Sequence, residues 1–95
     1  MEQVIRKILD EVKSGCIFDS HFVIDQLIRQ YSDEYLNFIC SLDIANKKTS
    51  LVHSSISKEI AKFKKEGLIK RLPNESWSKN IHGIASNCAA WLKIQ

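Results

Sequence analysis

Glycine and proline are scarce in this chain, with three glycines and one proline among 95 residues. So few chain breakers argue against a loop-rich fold and in favour of helices. No apolar run approaches the roughly 20 residues that a membrane-spanning helix requires, so no membrane partner is expected. Met1-Glu2-Gln3-Val4 does not lead from a basic region into an apolar stretch, so no signal peptide is expected. The three cysteines, Cys16, Cys40 and Cys88, are odd in number and widely scattered. A disulfide framework uses an even set, so a reducing, cytoplasmic setting is expected. Together with His21, His53 and His82 they form no C-x-x-C or H-x-x-x-H pair, and close spacing is what marks a metal site in sequence. Thiols and imidazoles are therefore read as structural or incidental, with no metal and no cofactor. A glycine-rich phosphate loop and a nucleophile elbow are both missing, so an enzyme is not expected.

What the chain does have is the composition of an ordinary globular domain: 44% apolar and 26% charged residues. Its length suits a single domain over residues 1–95, able to bury one modest core without disulfides or metal. Within it, residues 1–15 read as an N-terminal helix and residues 18–95 as a helical core with a wing. The net charge of +3 is unevenly spread. Residues 1–46 carry eight acidic and four basic side chains, a net of −4. Residues 47–71 carry eight basic side chains against only Glu59 and Glu66, a net of +6. Such asymmetry fits either a polyanion partner or helices with solvated lysine faces.

Val4, Ile5, Ile8, Leu9 and Val12 recur at helical spacing and predict an amphipathic helix over residues 2–13, stopped by Ser14-Gly15. Asp19 or Ser20 can cap a second helix, striped by Val23, Ile24, Leu27, Ile28 and Tyr31. Phe18 and Val23 are placed to staple its entry. Ser32 can cap a third helix with apolar positions Tyr35, Leu36, Ile39 and Cys40. Residues 43–50 read as a polar connection. A fourth helix is predicted over 51–66, with Val52, Ile56, Ile60 and Phe63 inward, ended by Gly67. Leu68 to Leu72 is β-favouring and is halted by Pro73-Asn74. Ala89 to Ile94 can pair back on it, leaving a tip of about fifteen residues. The expected fold is mainly α: about four helices followed by a two-stranded wing.

On a wheel of about 100° per residue, Ser54, Lys58, Ala61, Lys62 and Lys65 fall opposite the apolar side of the fourth helix. That face is small at Ser54 and Ala61 and positive elsewhere. It meets the needs of a helix in a DNA major groove: close approach, lysines for phosphates and hydroxyls for phosphate or base edges. An ordinary solvated lysine face accounts for it equally well.

Ser54-Ser55-Ile56-Ser57-Lys58-Glu59-Ile60, followed by Phe63-Lys64-Lys65-Glu66-Gly67-Leu68-Ile69-Lys70-Arg71, resembles the recognition helix and first wing strand of bacterial winged helix-turn-helix regulators of the MarR type. The resemblance covers about 18 of the 95 residues. It implies a winged-helix fold bound to double-stranded DNA, with the recognition helix in the major groove and the wing over residues 73–88 on the backbone. Ser54, Ser55, Ser57, Lys58, Lys62 and Lys65 would then face DNA, and Lys79 or His82 would reach phosphate from the wing. Two features depart from the family. The segment before Ser54 lacks the usual Leu-Ala-x-x-Leu-Gly brace, and the wing is long.

Two function classes follow. One is a DNA-binding transcriptional or mobile-element accessory factor, dimeric through the apolar stripe of residues 2–13 unless that stripe packs into its own domain. The other is a winged-helix protein–protein interaction module without DNA binding, as the missing brace and modest net charge suggest. Two further strings, Phe18-Asp19-Ser20-His21 and Ser78-Lys79-Asn80-Ile81-His82-Gly83, stand out without an assigned chemistry. Capping explains Asp19 and Ser20, and a turn suits Asn80 and Gly83. Trp91 is expected in the core, and Trp77 is divided between packing and contact.

Overall fold

The computed structural model describes residues 1–42 and 49–95, with the side chains of Thr49 and Ser50 excepted. Among the described residues the chain forms α1 (Glu2–Asp10), β1 (Ile17–Asp19), α2 (Ser20–Gln30), α3 (Ser32–Ser41) and α4 (Thr49–Ala61). A 3-10 turn (Lys62–Lys64) follows, then β2 (Ile69–Arg71), β3 (Ser76–Lys79), β4 (Ala85–Cys88) and β5 (Ala90–Lys93). The connection expected over 43–50 falls mostly on residues 43–48, outside the described residues, while Thr49 and Ser50 already belong to α4. No described helix is long and apolar enough to cross a membrane.

The predicted helices form, with shifted ends and one reassigned face. Helix α1 stops at Asp10, short of the expected Lys13. Helix α2 starts at Ser20 because the Asp19 carboxylate caps it, accepting from the Phe22 N–H at 2.8 Å. Helix α3 opens on Ser32 with no side-chain cap. Its inward residues are Tyr35, Phe38 and Ile39, whereas Leu36 is 59% exposed and Cys40 is also exposed. The expected stripe had counted Leu36 and Cys40. One wheel of ten residues admits either face, and only the neighbouring helix selects between them.

The β-structure is larger than a single wing. β5 lies between β1 and β2 in a three-stranded antiparallel sheet, and β3 pairs with β4 in a separate two-stranded one. The expected return of Ala89–Ile94 onto 68–72 is present, with Ile69 opposite Lys93 and Arg71 opposite Trp91. β1 was not anticipated. Three residues directly ahead of a helix cap carry no period-two signal, and Ile17 at this sheet edge stays 67% exposed. The long tip folds as β3 and β4, paired from Ser76 with Cys88 to Lys79 with Ala85.

The core joins one stripe from each of α1, α2 and α4 to the inner face of the three-stranded sheet. Ile5, Ile8, Leu9, Leu27, Ile56, Ile60, Phe63, Ile69 and Trp91 are fully buried there. The stripe of α1, offered above for dimerisation, is thus covered by its own domain, and Glu2, Gln3, Lys7, Asp10 and Glu11 are left outward. Truncating one such residue, Ile56 for example, would open a cavity at a cost of about 2–5 kcal/mol. Gly67 takes φ +74°, a left-handed conformation that turns the chain out of the last helical turn toward β2.

Candidate functional site

Helix α4 and the β3–β4 hairpin stand side by side across a cleft of about 300 Å³. His53, Ser54 and Ser57 line it from the helix, and Asn80, Ser86 and Asn87 from the hairpin. Of the residues predicted to meet DNA, Ser54 and Lys58 are exposed on α4, and Lys58 has no ion-pair partner among the described residues. Ser57 is half-buried in the cleft wall. Lys79 ends β3, and His82 is exposed in the hairpin tip.

Ser55, Lys62 and Lys65 differ from Ser54 and Lys58 in their surroundings. Ser55 is half-buried, and its hydroxyl donates to the Leu51 carbonyl of its own helix at 3.2 Å. Lys62 is paired with Glu59, Nζ to Oε2 at 2.9 Å. Lys65 is exposed just past the end of α4. The α-helix ends at Ala61 and passes into a 3-10 turn over Lys62–Lys64. Leu51, 47% exposed, joins Ser54 and Lys58 on the outer side of α4. The α-helix thus ends at Ala61 rather than at 66, while Phe63 stays buried and Lys62 and Lys65 stay exposed, as the wheel over 51–66 predicted.

The hairpin is held in place by the two strings that the sequence left without a chemistry. The Asp19 Oδ2 atom accepts from the hydroxyls of Ser76 (2.7 Å) and Ser78 (2.8 Å). The Ser78 oxygen lies 2.7 Å from His21 Nδ1, and Ser86 Oγ lies 3.4 Å from His21 Nε2. Because the Ser78 proton goes to Asp19, the Ser78 oxygen accepts from Nδ1–H, which leaves Nε2 of a neutral ring to accept from Ser86. One aspartate thus caps α2 and anchors β3. Burial raises the Asp19 carboxyl, but hydrogen bonds from Ser76, the Phe22 N–H and Ser78 outweigh it and hold it below the ordinary carboxylate range.

Cys88, at the end of β4, completes this junction. Burial pushes its thiol up, opposed by hydrogen bonding from the His21 backbone. The donor atoms of Asp19, His21 and Cys88 all lie within 4.8 Å of one another, and each residue is half-buried. Sequence spacing could not reveal this set, since Cys88 reaches it from the other end of the chain. The signal available was the pair of strings around His21 and Asn80.

At the hairpin tip, the Asn80 side-chain oxygen accepts from the backbone N–H groups of His82 (2.9 Å) and Ile84 (3.2 Å). Gly83 sits there at φ +75°. The turn expected at Asn80 and Gly83 is formed this way. Beneath the cleft, the Tyr35 hydroxyl lies 2.8 Å from His53 Nε2, tying α3 to α4. Burial lowers the His53 pKa, helped by the nearby His82 and His21.

No family model matches the chain, nor does any curated protein or solved structure.

Proposed function

We propose that this is a winged-helix DNA-binding module. Helix α4 is directed to the major groove and the β3–β4 hairpin to the backbone, in a transcriptional or mobile-element accessory role. The observation that carries the reading is the pairing of α4 and hairpin across one polar cleft, on a sheet ordered β1-β5-β2. α4 leads through Gly67 into β2, and the hairpin is inserted between β2 and β5, as a wing requires. On this reading Ser54 and Lys58, exposed on the helix, and Lys79 and His82, exposed on the hairpin, would make the DNA contacts. Small hydroxyls and lysines on adjoining elements suit phosphate contacts, which position a protein on duplex DNA. Lys62 contributes less, because Glu59 already neutralises it.

Fluorescence anisotropy with a random duplex tests the proposal. Affinity should fall steeply as salt rises. Lys58→Glu combined with Lys79→Glu should weaken binding at fixed salt and reduce the salt slope by about 2, one per lost phosphate contact. No retention of DNA at low salt, or a double variant that binds unchanged, would falsify the assignment.

A second reading, a protein-interaction module on the same frame, is favoured by the hairpin's outer surface. Trp77 is 69% exposed and Ile84 64% exposed, larger apolar groups than backbone contact with DNA requires. Under that reading the chain does not retain DNA, and Trp77→Ser abolishes partner capture.

A further inference from the structure

Asp19, His21 and Cys88 come together from three backbone sites: the cap position before α2, its first turn, and the last residue of β4. Their donor atoms are a carboxylate oxygen, an imidazole nitrogen and a sulfur, all within 4.8 Å of one another. Calcium and magnesium take oxygen ligands, whereas thiolate with imidazole selects zinc and its neighbours in the transition series. Three protein donors are also the number found at zinc sites that leave a fourth position for water.

We infer that Asp19, His21 and Cys88 bind one thiophilic divalent cation of the zinc class. The surroundings already orient the ligands, as the partners around a metal's own ligands do. Asp19 Oδ1 is fixed by the Phe22 N–H at 2.8 Å, and His21 Nε2 has Ser86 at 3.4 Å. Ser78 Oγ lies between Asp19 Oδ2 and His21 Nδ1. Its single χ1 torsion lets it turn aside or remain as an oxygen ligand. Access is open from two sides. His21 and Cys88 border the cleft shared with α4, and Asp19 and His21 border a second hollow of about 240 Å³ along β3. Binding releases the Cys88 proton to solvent, moves the His21 ring proton from Nδ1 to Nε2, where Ser86 can accept its hydrogen bond, and forms sulfur–metal and nitrogen–metal bonds, so that β4 is tied to the start of α2. The inference is independent of whether the α4 face meets DNA.

The test is a cobalt(II) titration of the reduced, chelator-stripped full chain, followed by its absorption spectrum. A thiolate-to-cobalt charge-transfer band should grow and saturate at one ion per chain, and zinc should abolish it. Cys88→Ser should remove the band, while Cys16→Ser and Cys40→Ser should keep it. Asp19→Asn retains an N-cap acceptor, and its loss of cobalt affinity should exceed the roughly 10–100-fold that an outer-shell change costs. Zinc should also raise the thermal midpoint of the wild type and leave that of Cys88→Ser unmoved. The site is refuted by a missing charge-transfer band in the wild type, by one that survives Cys88→Ser, or by one lost with Cys16→Ser. If Cys88→Ser does not fold, Asp19→Asn decides, and unchanged affinity there overturns the assignment.

Discussion

The Nζ of Lys93, at the end of β5, lies 2.6 Å from the carbonyl oxygen of Leu9, near the end of α1. The same ammonium donates to the Val12 carbonyl at 2.9 Å, and the Lys93 side chain is almost wholly buried. The backbone of Lys93 also bonds across to Gly15 and Cys16. One strand-end lysine thereby adds a donor to the Leu9 carbonyl, which also accepts from the Val12 N–H, and places a cation at the negative end of α1.

Lys93→Met keeps the aliphatic stem and removes the donor. It should cost about 2–3 kcal/mol, since a hydrogen bond to a charged group contributes roughly 1.5–3 kcal/mol. Urea unfolding checks this, with a lowered midpoint and an unchanged slope. An unaltered midpoint would mean that water caps α1 equally well.

His53 supplies the pH prediction. Its pKa is lowered in the folded chain from an ordinary 6.5, so the unfolded chain binds the proton more readily. Stability therefore rises with pH across this window. It is greatest above pH 6.5 and is lost as pH falls below that value toward the folded pKa. His53→Gln cannot titrate and can still bond to the Tyr35 hydroxyl. Thermal midpoints on either side of the window should differ less for His53→Gln than for the wild type.

Gly67 needs its left-handed conformation but not its small size, since a Cβ there would meet nothing within 4 Å. Gly67→Ala should accordingly cost only the conformational penalty of about 1–2 kcal/mol. Chemical denaturation measures it, and a much larger loss would reveal packing that the geometry does not contain.

Asn80 holds only the hairpin tip, so Asn80→Ala should act locally. Amide exchange at His82 and Ile84 should quicken while the β5 amides and the global midpoint stay put, because the β3–β4 sheet is separate from the core sheet. A drop in global stability would show that the tip folds together with the core.

Arg6 makes the contrasting case to Lys93. It pairs with Glu66 at 2.8 Å and lies 4.9 Å from the Phe63 ring centre, joining α1 to the turn after α4. Both side chains are nearly half exposed. Solvent and salt screen such a pair, so Arg6→Met should leave the urea midpoint nearly unchanged.

The residues legible in sequence were those whose fate is settled within a few neighbours. The stripe of Val4, Ile5, Ile8 and Leu9, the Asp19 cap, the Gly67 exit and the Asn80–Gly83 turn each express a local preference. The pairing of β2 with β5 was legible as well, because both strands are β-favouring runs bounded by breakers. The face of α3 was not, since a ten-residue helix with Tyr35, Leu36, Phe38, Ile39 and Cys40 offers two apolar sides.

The sequence by itself therefore determined the helices, the Asp19 cap, the turns at Gly67 and Asn80–Gly83, and the positive charge of the segment ending in β2. Tertiary structure alone decided that β1 would form an edge and that Asp19, His21, Ser78 and Cys88 would share one junction. The reason is range. Periodicity and capping act between residues a turn apart, whereas the neighbours of a side chain across a sheet or cleft are fixed only when distant segments pack together.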